Sequence, residues 1–87
     1  MEITKDDITC WNGCRWNDKK HSFLIEKINE RILDEEEMGY LETFFEDKGV
    51  DVDEFNIEYM GCFMGIIYAD KETLVNTINE YLKSKQQ

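Results

Sequence analysis

Residues 62–69, CFMGIIYA, are nearly all apolar, and this run constrains the fold more than any other stretch of the chain. Eight residues are too few for a helical repeat to show and suit a central β-strand covered on both faces. Just before it, Phe55, Ile57 and Tyr59 alternate with Asn56 and Glu58, the period of a strand with one apolar side. Gly61 between the two runs marks either a tight turn or a bulge. A sheet built on these strands, near 54–60 and 62–69, needs helices to cover it.

Three helical segments are expected. Leu24, Ile25, Ile28 and Ile32 recur at helical spacing with charged residues between them, which predicts a helix over 22–33. Asp34 can cap a second helix over 35–48, with Glu37 three residues on and Gly49 available for the left-handed C-terminal position. Met38, Leu41, Phe44 and Phe45 form its buried side. One long bent helix from 22 to 48 is the alternative. Gly39 weakens this region relative to alanine. A third helix over 71–84 starts at Asp70 as cap, with Leu74, Val75, Ile78, Tyr81 and Leu82 as its stripe. Near the N-terminus, Asn12-Gly13 lies between short β-prone runs and suits the turn of a hairpin over 8–17, with Trp11 and Trp16 on one face and Cys10 and Cys14 diagonally on opposite faces. The expected fold is α+β, a small antiparallel sheet packed with about three helices, as one compact domain over 1–87.

Length and charge narrow the function. The chain has 87 residues, of which 41% are hydrophobic, so it is too apolar for a disordered acidic tail and too short for a large multi-step enzyme. Twenty acids face ten bases, a net charge of −10, which disfavours direct binding to nucleic acid or an anionic membrane. No apolar run is long enough to span a membrane, and MEITKDDITC does not read as a signal peptide, so the expected location is the cytoplasm.

That charge is unevenly distributed. Between Asp34 and Glu58 stand eleven acids and one base, Lys48, so this segment alone carries 1 − 11 = −10. The other 62 residues balance nine acids with nine bases. On a helix, Glu35, Glu42 and Glu46 fall on one line opposite the apolar side, about 10 Å and 6 Å apart along the axis. Asp51, Asp53 and Glu54 follow in an acidic loop. A solvated face that keeps the protein soluble is the plain explanation. A docking surface for a basic partner is the functional one, because carboxylates at such intervals resemble the phosphate charges of a nucleic-acid strand. The contact residues this predicts are Glu35, Glu36, Glu42, Glu46, Asp47, Asp51, Asp53 and Glu54. Trp11, Trp16, Tyr40 and Tyr59 are expected in or beside the core, and become anchors if exposed next to the acids.

Other chemistry is weakly signalled. An EF-hand loop fails in both registers: from Asp47 the sixth position is Val52, and from Asp51 the twelfth is Cys62. Cys10, Cys14, His21 and Cys62 are the zinc-ligand candidates, but with only one local pair the three cysteines read as reduced structural thiols, Cys62 buried and His21 exposed or capping. No glycine-rich phosphate loop or nucleophile with a named base is present, so neither enzymatic activity nor a cofactor is expected.

In size, charge and compactness the chain resembles the small acidic inhibitors encoded by phages and mobile elements, including anti-CRISPR and anti-restriction proteins. That resemblance implies a non-enzymatic inhibitor, monomeric or a small homo-oligomer. It would bind the cationic nucleic-acid channel of a bacterial defence nuclease by nucleic-acid mimicry, in the host cytoplasm. The alternatives are an immunity protein or antitoxin that neutralises a basic toxin, and a small zinc-binding or redox module built on the cysteines.

Overall fold

The computed structural model describes residues 1–10, 19–29, 31–58 and 61–85. After a single 3₁₀ turn (Lys5–Asp7), the described elements are β1 (Ile8–Cys10), β2 (His21–Asn29), α1 (Glu35–Asp47), β3 (Val52–Glu58), β4 (Cys62–Ile67) and α2 (Lys71–Lys85). The strands form an antiparallel sheet in the order β1-β2-β4-β3, and both helices pack on one face of it. The fold is thus α+β as the sequence predicts, with two helices among the described residues instead of three.

The segment expected as the first helix is the strand β2. It lies between β1 and β4, paired from Ile8–Ile25 to Cys10–Phe23 on one side and from His21–Ile67 to Ile25–Phe63 on the other. Phe23 and Ile25 point into the helix-covered core, while Leu24 is buried on the other face. The ladder then shifts register between Ile25 and Asn29, which exposes Glu26 and Lys27 and returns Ile28 to the core. An irregular strand buried on both faces therefore places apolar residues three apart, and the spacing imitates a helix. Asn29 closes the strand: its carbonyl accepts from the N–H groups of Ile32 (2.9 Å) and Leu33 (3.0 Å).

β4 is central, as its composition requires. Phe63, Gly65 and Ile67 are buried toward the helices, and Cys62, Met64 and Ile66 are half-buried on the opposite face. β3 forms the edge of the sheet beside it and begins earlier than the alternation suggests, so Asp53 and Glu54 belong to a strand and not to a loop. A bulge between Asp53 and Asn56 allows this, with Glu54 at φ +51. The side chains support the distortion: Glu54 N–H donates to Asp53 Oδ1 (2.9 Å) and Asn56 Nδ2 donates to the Glu54 carbonyl (3.3 Å). Gly61, at φ +78, follows the last β3–β4 pair (Glu58–Cys62) and leads into β4 as a turn glycine. The predicted hairpin over 8–17 lies mostly outside the described residues; its first arm, β1, pairs with β2.

Both helix starts follow their caps. Asp34 Oδ1 accepts from Glu37 N–H (2.9 Å), and Asp70 Oδ1 from Thr73 N–H (2.7 Å). Hydrogen bonds from Thr73 hold the Asp70 carboxyl below its usual range, so this cap stabilises above that range and fades as pH falls through the lowered value. Gly49 takes the left-handed position after α1 at φ +75. Gly39 has no such need, and a Cβ built on it meets nothing within 4 Å. Gly39→Ala should therefore stabilise the protein by about 0.5–1 kcal/mol. Thermal denaturation followed by circular dichroism should show a midpoint raised by roughly 3–6 °C.

The N-terminus is stitched to α2. The Asn79 side-chain amide donates to the Ile3 carbonyl (2.9 Å) and accepts from the Ile3 N–H (2.8 Å), the pairing a neighbouring strand would offer. Ile3 itself is buried in the core.

Candidate functional site

The eight predicted acids are all exposed. No ion pair among the described residues includes any of them. Two bases near this side are committed to other contacts. Lys48, the one base in the acidic segment, reaches to α2 and pairs with Glu80 at 2.9 Å, with its ammonium 5.3 Å from the Phe44 ring centroid. Lys85 bonds to the Ile32 carbonyl and pairs with Glu37 at 2.5 Å. Glu37 is therefore spent on holding α1 and α2 together. Next to it, burial and then the Glu37 charge push the Tyr81 hydroxyl above its usual range.

The packing of α2 decides where the acids point. At about 100° per residue, Glu35, Glu42 and Glu46 lie within about 20° of one line along α1. Buried Met38, Leu41 and Phe45 are centred about 90° to one side of that line, and Phe44 with Glu37 about 170° away. Phe44 packs edge-on against Tyr81 of α2, with ring centroids 5.6 Å apart, so α2 occupies the flank opposite the line of acids. The three glutamates are thus on the flank of α1 that faces away from α2, and not opposite the apolar side as expected from the sequence. Glu36 and Asp47 point outward, with Tyr40 about 20° beyond Asp47 in angle.

α1 is seated over the sheet edge: Phe45 meets Phe55 of β3 with ring centroids 5.4 Å apart. Its acidic flank therefore runs beside edge strand β3. Asp51 follows α1 at the mouth of the strand, where its carbonyl accepts from Tyr68 N–H at 3.0 Å. Asp53 is paired with Ile66 and shares its face, away from the helices. Glu54 is exposed in the bulge. The predicted residues thus form a belt that follows the outer side of α1 and wraps round the β3 edge. Asp53 stands on the far face of the sheet from Glu36 and Asp47, so the belt is curved rather than flat.

Two exposed tyrosines border it. Tyr40 is 61% exposed, and its hydroxyl bonds to Glu36 Oε1 at 3.4 Å. Tyr68 is 41% exposed beside Asp51, with Lys20 5.8 Å from its ring centroid. Tyr40 departs from its expected place in or near the core. Tyr68 is missed by sequence reasoning altogether, although its position at the polar end of the 62–69 run, next to Ala69-Asp70, signals that the buried strand has ended. Trp11, Trp16 and Tyr59 lie outside the described residues.

Two of the zinc candidates, His21 and Cys62, do not come together. His21 pairs with Ile67 and Cys62 with Asn29, at opposite ends of the β2–β4 ladder. Five residues of strand separate these positions, about 17 Å at roughly 3.4 Å per residue, so one ion cannot bind both side chains. His21 is buried in β2 and neither exposed nor a helix cap, while Cys62 is half-buried where a buried thiol is expected. Cys14 lies outside the described residues. Among the described residues no group of three or more His, Cys, Asp or Glu side chains is placed to hold a metal. An open cleft of about 630 Å³ between the N-terminus and α2 is lined by Met1, Glu2, Asn76, Asn79, Glu80 and Lys83, and includes none of the eight acids.

No protein-family model matches the chain, and comparison with curated proteins and with solved structures finds no similar protein. The functional reading therefore rests on the belt itself. No described helix is long and apolar enough to cross a membrane.

Proposed function

We propose that the protein is a non-enzymatic inhibitor whose acidic belt occupies a cationic, nucleic-acid-binding channel of a partner enzyme. One observation carries this reading: eight exposed carboxylates line the outer side and one flank of α1 and the adjoining sheet edge, and no ion pair among the described residues includes any of them. Such an arrangement costs stability. Glu46 and Asp47 sit in the last turn of α1, where the helix dipole is negative and a base would be favoured. Solubility alone is served by acids anywhere on the surface, at smaller cost. A curved row of negative charge instead steers a basic groove to one side of the molecule and opposes its phosphate-binding residues once seated. Tyr40 and Tyr68 supply the amphipathic anchors that interfaces use at their centres and rims.

Immobilised protein should retain nucleic-acid-binding enzymes from a bacterial lysate and release them in a salt gradient, because the contact is charge-driven. The captured enzyme should then be inhibited by the purified protein. Glu42→Gln with Glu46→Gln should weaken that inhibition by roughly tenfold, about 1.4 kcal/mol, with an unchanged circular dichroism spectrum. Full inhibition after neutralising five of the eight acids would sink the proposal. Capture of a basic toxin in place of an enzyme would assign the protein as an immunity factor.

A further inference from the structure

We propose that the free edge of β3 receives an extended, cation-bearing segment of the partner as an added strand. This deepens the reading above and depends on it.

Three features of the edge support the proposal. The first is unspent backbone. Asp51 is paired with Tyr68 through the Tyr68 N–H, and Asp53 with Ile66, so the groups of the residue between them, Val52, point away from β4. Among the described residues no strand lies on that side. The second is an incompletely covered apolar row. Phe63, Gly65 and Ile67 of β4 are fully buried beneath the helices, yet Val52, Phe55 and Ile57 of β3, on the same face, are only half-buried. A further strand would extend the core over them. The third is charge: Asp51, Asp53 and Glu54 stand on the edge, with the Glu35–Glu42–Glu46 flank of α1 alongside.

These features select the occupant. A second copy of this chain would bring its own acids to the same edge, and the like charges oppose that pairing. A strand that alternates apolar residues with lysine or arginine fits both sides. Its apolar row continues Val52, Phe55 and Ile57, and its cations face Asp53 on the other side of the sheet. Backbone pairing then supplies affinity and fixes register, which charge attraction alone does not.

The test uses the whole protein with two synthetic octapeptides that alternate lysine and valine. One is unmodified and the other is N-methylated at every amide, so charge is equal and strand donors are removed. Titration at low salt, followed by amide resonances and hydrogen exchange, should show the unmodified peptide binding at least tenfold more tightly. It should also slow exchange at Val52. Equal binding of both peptides with no protection in β3 would overturn the added strand and leave the charge-driven reading standing. Failure of both peptides to bind would remove both.

Discussion

Gly65→Ala is expected to destabilise the protein by about 2–3 kcal/mol, a large part of the stability of a domain this size. Gly65 sits at the centre of β4, opposite Phe23, with the Phe55 ring laid over its backbone. A Cβ at this position would lie 2.3 Å from Phe55 Cδ1, 2.8 Å from Cε1 and 3.1 Å from Phe23 Cζ. The ring has little room to yield. Phe23, Phe45 and Phe63 surround Phe55 at centroid distances of 5.9, 5.4 and 5.3 Å. Either the cluster is strained or Phe55 swings out to solvent and loses its burial, and the second route caps the cost. Denaturant titration should show the midpoint falling at unchanged slope. Pairing the change with Phe55→Leu should recover part of the loss, because the shorter side chain vacates the space above residue 65. A non-additive double-mutant cycle would confirm that the two positions act through one contact. Additive effects would place the cost elsewhere.

Phe45→Ala should cost more, about 3–5 kcal/mol. Phe45 is fully buried and is the side chain by which α1 grips Phe55 at the sheet edge. Its loss leaves a cavity between helix and strand beside Phe55. The variant also separates stability from function. If the acidic belt acts only when α1 is docked beside β3, inhibition should fall in step with the fraction of folded protein and recover at low temperature. Inhibition that persists in unfolded variant would mean that loose negative charge suffices, against the proposal.

What was legible in the sequence depends on how far each cause reaches along the chain. Asp34, Gly49 and Asp70 place helix boundaries through contacts within four residues, and the predicted starts at 35 and 71 match the structure. The alternation before Gly61 and the apolar run after it mark β3 and β4 for the same reason. β2 misleads because its pattern records two events at once, burial on both faces and the register shift between Ile25 and Asn29. A continuous Phe23-Leu24-Ile25 run is the local hint that a strand lies there. The acidic surplus of 34–58 can be counted directly, but its direction cannot. It depends on Phe44 meeting Tyr81 and on Lys48 reaching Glu80, contacts 37 and 32 residues apart (81 − 44 and 80 − 48). The same long-range choice makes Lys48 unavailable to the acids around it, and no window of sequence contains that information.

The clasp between Asn79 and Ile3 joins residues 76 positions apart. Buried Ile3 finds its hydrogen-bonding mate only after residue 79 has left the ribosome. Completion of this core is thereby deferred until α2 has been made, and α2 acts as its keystone. Cutting the chain before residue 79 would orphan the backbone of Ile3, so damage in α2 would be felt 76 positions away.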